Sequence, residues 1–202
     1  MRLTAASLSC RRAGRVVFRD LGFTLSGGEA LALRGRNGAG KTSLLRVIAG
    51  LVPAAGGTLR LEGGEAEASI GEQCHFVGPS SGIKPVLTVA ENLDFWLRFQ
   101  GGDGGGGGSV AEALDTVGIG NLAGLPARYL SAGQQRRLAL AALVATRRAI
   151  WLLDEPLNAL DAEGAAMLNA LMRRHLGDGG IVIAATHADI EAGTRTLHLE
   201  AA

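Results

Sequence analysis

Residues 35–42 read "GRNGAGKT": one glycine, four residues, then Gly40-Lys41-Thr42. That spacing is the P-loop pattern. Backbone carrying so little side chain exposes its N–H groups, which can wrap a phosphate chain, and a following helix adds the positive end of its dipole. Gly35, Asn37, Gly38, Ala39 and Gly40 make the candidate wrap, with Ser43 in the first helical turn. Lys41 is placed to bring a point charge to the β- and γ-phosphates of a nucleotide, and Thr42 to ligate Mg2+. A glycine-rich turn can fit the same letters by chance, so context decides. "EALALR" before the loop reads as a strand. "GKTSLLRVIAGL" after it reads as a helix, with apolar residues at Leu44, Leu45, Ile48 and Leu51.

Working outward, "RVVFRD" and "GFTLSGGEALALRG" alternate and read as strands joined by a Gly-Gly turn. "GTLRLEG" and "CHFVG" read as further strands. "TVAENLDFWLRFQ" reads as a helix with Thr88 as cap and Glu91 three residues later, and "SVAEALDTVGI" starts another with Ser109 as cap. "SAGQQRRLALAALVATRR" reads as a long helix, "AIWLLDEP" as a short apolar strand, "DAEGAAMLNALMRRHL" as a helix, "GIVIAATH" as a buried strand and "TRTLHLE" as a final strand. Strands alternating with helices predict an α/β fold with a mainly parallel sheet. The stretch from about 83 to 147 carries no clear strand and reads as a helical insert. Within it, "GGDGGGGGS" (101–109) has almost no side chains to pack and reads as a flexible loop. Leu93, Trp96 and Leu97 share a helical face, and fit a packing stripe better than a docking surface.

"IWLLDEP" carries Asp154 and Glu155 to the C-terminal edge of the sheet, where ligands of open α/β sheets bind. Alone, the pair would be better read as solvated turn carboxylates. Beside a P-loop, Asp154 is placed to hold Mg2+ and Glu155 to polarise an attacking water. His187 closes "IVIAATH"; spacing leaves it equally a polar end to a strand or a contact to the γ-phosphate.

The 202-residue chain is 47% apolar with a net charge of +1, a globular composition with no electrostatic footprint for nucleic acid. The pairs Arg11/Arg12, Arg136/Arg137, Arg147/Arg148 and Arg173/Arg174 are dispersed and read as solvated faces. Cys10 and Cys74 are the 2 cysteines and suggest neither metal site nor disulfide, which suits a reducing cytosol. No stretch reaches the ~18 apolar residues of a membrane span, and the N-terminus lacks the apolar core of a secretory signal. A soluble chain able to dock on a membrane protein is expected.

One string remains unplaced. "LSAGQQRR" (130–137) is small, polar and then basic, ahead of the apolar "LALAALVA". No hydrophobic core needs it. With the P-loop, "LLDEP", "NALD" and "TH" in this order, it resembles the signature of ABC transporter nucleotide-binding subunits, over nearly the whole chain. The resemblance implies a P-loop NTPase cassette with a mainly parallel core, N-terminal antiparallel strands and a helical subdomain. The expected organisation is one nucleotide-binding domain over 1–202, with an ATP-binding lobe at 1–82 and 148–202 and a helical signature lobe at 83–147. It further implies that Ser131, Gly133 and Gln134 cap the γ-phosphate of ATP held by the opposite subunit of a head-to-tail homodimer. Small residues there let the backbone approach, and the helix dipole favours the anion. Asp161 matches the loop that communicates across that interface.

Arg34, Ala132, "GIKPVLTVAENLDFW" and "WLLDEPLNALD" look most like the ATPase subunits of bacterial cytochrome c maturation systems, the haem exporter ATP-binding proteins. That implies ATP and Mg2+ as cofactors, integral membrane permease subunits as partners, and a peripheral place on the cytoplasmic face of the inner membrane. Other readings are the ATPase of another ABC exporter and a soluble nucleotide-gated ABC switch. Two positions depart from the family pattern. Arg12 falls near where many members stack an aromatic residue on adenine, and a solvated Arg is slightly favoured there over a stacking one. Ser80 falls where a glutamine is expected in the loop after the third strand, which predicts slow but real hydrolysis.

Overall fold

Two sheets of opposite kind organise the strands of the computed structural model, which describes residues 1–80, 82–99, 109–188 and 194–200. β1 (Arg2–Arg12) lies between β2 (Arg15–Ser26) and β4 (Gly56–Glu62) in an antiparallel sheet of order β2-β1-β4. β3 (Ala30–Arg34), β5 (Cys74–Val77), β6 (Ile150–Asp154), β7 (Ile181–Ala185) and β8 (Arg195–His198) form a parallel sheet of order β5-β6-β7-β3-β8. β6 and β7 are buried at every position, as parallel strands covered on both faces must be.

These strands belong to a compact unit made of Met1–Gly78, Arg148–Pro156 and Leu171–Ala202. Its core joins Leu3, Leu8 and Leu25 of the antiparallel sheet to Leu31, Leu33, Ile150, Leu152, Ile181 and Ile183 of the parallel one. Between them α1 (Lys41–Ile48) buries Leu44, Leu45, Val47 and Ile48. The period of two in the strands and of 3.6 in α1 puts all these side chains into one cluster. Leu51, the last residue of the expected helical stripe, lies beyond α1 and is exposed.

The second unit comprises Pro79–Arg147 and Leu157–Ala170. α2 (Val89–Phe99), α3 (Val110–Thr116) and α4 (Ala132–Ala145) pack on one another, burying Leu93, Leu114, Leu138, Leu140 and Leu143 among others. α5 (Ala162–Gly177) gives residues 162–170 to this unit and 171–177 to the first. Thr88 and Ser109 cap their helices as expected, Thr88 exchanging three hydrogen bonds with Glu91 and Ser109 two with Glu112.

Two strand readings need correction. "RVVFRD" and "GFTLS" are one strand, β2, bent at Asp20 (φ 49°) rather than broken. β1 was not foreseen: Ser7 (φ 49°) and a series of register shifts break the alternation that announces a strand. On α2, Leu93 is buried and Trp96 and Leu97 half-buried, while Phe95 and Phe99 are the exposed apolar residues. Residues 101–108 of the glycine-rich run lie outside the described residues.

Candidate functional site

β3 delivers the chain to the glycine loop, and backbone geometry explains its composition. Gly35, Gly38 and Gly40 have φ of 140°, 85° and 100°, which side chains disfavour. A Cβ at Gly35 would strike the Leu199 carbonyl oxygen, and one at Gly40 would lie 2.6 Å from Val17 Cγ1 of β2. Ala39 faces inward and its methyl joins the core cluster, anchoring the loop from below. Asn37 and Gly38 are exposed. The first helical hydrogen bond of α1 runs from Leu44 N to Gly40 O at 2.8 Å. The N–H groups of Lys41, Thr42 and Ser43 therefore have no acceptor inside the helix. They and the dipole make a cradle for an anion.

Lys41 is buried, and its Nζ donates to the Gly35 carbonyl at 2.7 Å and, more weakly, to that of Arg36 at 3.5 Å. The same Nζ lies 3.4 Å from His187 Nε2, and that nitrogen lies 3.7 Å from Glu155 Oε1. Nε2 cannot accept a hydrogen bond from Lys41 and donate one to Glu155 at once, so the imidazole stands between the two side chains with its tautomer deciding which it serves. Glu155 has φ 46°, a left-handed conformation that costs a branched-free side chain on the order of 1 kcal/mol or more. A hydrogen bond from Glu155 N to the Ala185 carbonyl at 2.8 Å holds it there, at the ends of β6 and β7. Asp154 is buried beside it in sequence, at the last position of β6. Thus Lys41, Glu155 and His187 are drawn together at the C-terminal edge of the parallel sheet, within the unit that also carries residues 35–43 and Asp154.

The signature residues fall in the other unit. Ser131 is the N-cap of α4: its Oγ accepts from Gln134 N at 3.2 Å, and its own N–H donates to Gln134 Oε1 at 2.9 Å. This capping box explains why Ser and Gln stand three apart. Gly133 has no room for more, since a Cβ would sit 2.8 Å from the Ala159 carbonyl oxygen, whereas Ala132 is exposed. Ser131, Gly133, Gln134, Arg137 and Asp161 line one concavity of about 480 Å³, room for a phosphate group. Asp161 caps α5 through Gly164 N, and this bond, with a second from Arg137, holds its carboxyl below the usual carboxylate range.

Some of this escaped sequence reading. Arg136 is buried and Arg137 mostly so, against the expectation of a solvated pair. Buried Asn92 accepts from Lys84 N and donates to the Lys84, Leu87 and Thr88 carbonyls, tying the segment ahead of α2 to that helix. Gln73, also buried, accepts from Glu65 N and donates to the carbonyls of Glu65, Ala68 and Ser69. It organises the loop at 65–69. Ser80 is exposed. Arg12 is exposed beside the two-residue turn Ala13-Gly14, whose φ values are 48° and 77°, and pairs in register with Arg15.

A model of the ABC transporter family matches residues 18–158. The cytochrome c biogenesis ATP-binding export protein CcmA of Bradyrhizobium diazoefficiens is 52% identical over 199 residues, covering 98% of each chain. The protein of the same name from Rhodopseudomonas palustris is 50% identical over 202 residues, covering 100% of each. Among solved structures, an ABC transporter ATP-binding protein from Pyrococcus furiosus superposes with a TM-score of 0.81 at 21% identity, covering 98% of each chain, which speaks to the fold alone.

Proposed function

The chain belongs to the ABC transporter family of ATP-binding proteins, and from that membership we propose that it is the ATP-hydrolysing subunit of a complex that exports or delivers haem in cytochrome c biogenesis. The observation that carries the hydrolytic part is the run Lys41 Nζ–His187 Nε2–Glu155 Oε1, at 3.4 and 3.7 Å, beside a glycine loop with N–H groups to spare. The relatives of about half identity over the whole length support the biological part.

In this reading the N–H groups of Gly38 and of residues 40–43 hold the phosphate chain of ATP, while that of Ala39 closes the loop on the Arg36 carbonyl at 3.1 Å, and Lys41 turns from the loop carbonyls to the β- and γ-phosphates. His187 contacts the γ-phosphate. Glu155 accepts a proton from the attacking water as its oxygen bonds to the γ-phosphorus and the bond from that phosphorus to the β–γ bridging oxygen breaks, leaving ADP and inorganic phosphate; the fixed backbone of Glu155 keeps the carboxylate in line. Thr42 and Asp154 are hard oxygen donors suited to Mg2+, and no cluster of three His, Cys, Asp or Glu among the described residues offers the ion a cage of its own. The remaining ligands would be nucleotide oxygens and water; when bound, the ion neutralises charge on the β- and γ-phosphates. Ser131, Gly133 and Gln134 cap the nucleotide of a second copy, so the working form is a head-to-tail homodimer with two ATP molecules between the subunits. We read residues 1–202 as one such cassette.

No helix among the described residues is long and apolar enough to cross a membrane. We place the chain on the cytoplasmic face of the bacterial inner membrane, held there by integral permease subunits. The test is a Glu155→Gln variant loaded with ATP and Mg2+, purified from membranes and analysed for dimer formation and bound proteins. Recovery of cytochrome c maturation membrane subunits supports the proposal. A different permease would keep the ATPase and overturn the haem assignment. A closed dimer without any membrane partner would point to a soluble switch, and failure to bind ATP would overturn the whole reading.

A further inference from the structure

We propose that Asn37 of the phosphate loop is a modification site: it deamidates through the backbone nitrogen of Gly38, giving aspartate and isoaspartate, and bound nucleotide shields it. The reaction needs a side-chain carboxamide and the amide nitrogen of the next residue within reach of each other. A following glycine permits that approach best, because it has no Cβ to obstruct the ring and adopts conformations other residues avoid. Asn92 and Asn121 precede leucine, and Asn158 and Asn169 precede alanine, so Asn37 alone is followed by glycine.

The fold leaves both reacting groups accessible. Asn37 and Gly38 are exposed, just ahead of the buried Ala39 that anchors the loop. Gly38 has φ 85°, and a Cβ placed on it would meet no heavy atom of the described residues within 4 Å, so a ring closing there has room. Among the described residues the Asn37 carboxamide makes no hydrogen bond and the Gly38 N–H finds no acceptor. Asn92 is the contrast, buried and with its carboxamide held by Lys84, Leu87 and Thr88.

Charge favours the step as well. Base removes the Gly38 N–H proton, the nitrogen bonds to Asn37 Cγ, and the bond from Cγ to the carboxamide nitrogen breaks, releasing ammonia and leaving a succinimide. Negative charge develops on the loop that also holds the Lys41 ammonium and leads into the N-terminus of α1. Water then opens the ring: cleavage at Cγ gives aspartate, and cleavage at the main-chain carbonyl carbon gives isoaspartate, whose backbone runs one carbon longer. Either product puts a carboxylate into a cradle suited to phosphate, where like charge repels the ligand. On the reading that ATP binds this loop, on which the shielding rests, a bound phosphate takes the Gly38 N–H and so removes the attacking nitrogen. The modification then marks chains that have stood without nucleotide.

Incubation of the full chain at mildly alkaline pH, with and without saturating ADP and Mg2+, tests this by peptide mapping, released ammonia and nucleotide titration. Without nucleotide, Asn37 is expected to convert within about threefold of its rate in the denatured chain, as an exposed segment without protection does. Bound ADP is expected to slow conversion by at least about tenfold. The aged protein is expected to bind ADP at least about tenfold more weakly. Asn37→Gln, which would have to close a larger ring, is expected to keep its starting affinity through the same incubation. Conversion of Asn37 no faster than that of the exposed Asn121 and Asn158, or at a small fraction of its denatured rate, overturns the modification site. Conversion with affinity unchanged overturns its effect on binding. Equal rates with ADP absent and with ADP shown by titration to be bound overturn the shielding. A fresh chain that binds no nucleotide yet converts at Asn37 removes the nucleotide reading and leaves the modification standing.

Discussion

Arg137 Nη2 lies 2.9 Å from Asp161 Oδ1, and the same oxygen accepts the N–H of Gly164 at 2.8 Å. Arg137 also donates from Nη1 to the Val117 carbonyl at 3.1 Å, so its planar fork ties the turn after α3 to the cap of α5. The ion pair is half in water, the arginine side chain being 12% exposed and the aspartate 68%. Its Coulombic worth is accordingly small, and its consequence is positional: it sets where the Asp161 loop stands beside the signature residues.

Arg137→Ala is therefore expected to lower the ATP turnover number by about tenfold while leaving ATP affinity within about threefold, the pattern of lost positioning rather than lost binding. Arg137→Lys should recover little, because one ammonium cannot span both acceptors. Steady-state kinetics with a separate nucleotide titration checks this. An unchanged turnover number would leave the pair as surface decoration.

Two neighbouring small residues in the signature should respond in opposite ways. Ala132 is exposed, so Ala132→Gly should change turnover by less than about twofold, apart from a helix-start effect of a few tenths of a kcal/mol. Gly133→Ala puts a methyl 2.8 Å from the Ala159 carbonyl, with backbone on both sides of the clash. The loop at 157–161 must shift, and turnover is expected to fall by about tenfold or more with the fold kept by circular dichroism. Equal behaviour of the two variants would mean that the loop yields freely.

How far the sequence predicted this arrangement depends on how local each signal is. The phosphate loop, Asp154-Glu155 and the Ser131–Gln134 box are runs of adjacent residues, and each stands where its spacing placed it, on the strand or helix expected. The residues that fix their geometry are remote partners. Val17 over Gly40, Ala185 holding Glu155 and Asp161 holding Arg137 are each paired with a residue at least 23 positions away. No periodicity announces such pairs. β1 was lost for a different reason, since a bulged strand does not keep the period of two.

His175 stacks on Trp151, with ring centroids 4.1 Å apart and planes 8° from parallel, and its Nε2 lies 3.3 Å from the Ile181 carbonyl. Burial pushes its pKa below the ordinary 6.5, against weaker opposing pulls from the Ile181 and Ala149 carbonyls and Asp178. The neutral ring is the form that fits. Its contribution is complete above pH 6.5 and is lost as pH falls toward the folded-state value, because the unfolded chain takes the proton first. Carboxylates such as Glu91 and Glu112, held below 4.5 by their caps, act only in a lower window. The melting temperature should drop between pH 7.5 and 5.5, as the ring's contribution is lost. His175→Phe, keeping the stack, should flatten that slope. An equal slope in the variant would place the titration elsewhere.

The thiols offer a test of packing that needs no substitution. Cys74 donates from Sγ to the Ile70 carbonyl at 3.0 Å, and burial pushes its pKa up to about 12. Cys10 is fully buried in the core cluster, and burial raises its pKa against the pull of Arg12. Alkylation and disulfide exchange proceed through the thiolate. At pH 8 a thiol of pKa about 12 is ionised in roughly one molecule in 10⁴, so neither cysteine of the folded chain should react with a thiol-specific reagent over minutes. Both should react at once in denaturant, giving 2 equivalents per chain. One rapid equivalent from the native protein would mean that the segment at 70–77 opens on that timescale, and peptide mapping would then show Cys74, the less enclosed of the two, as the site.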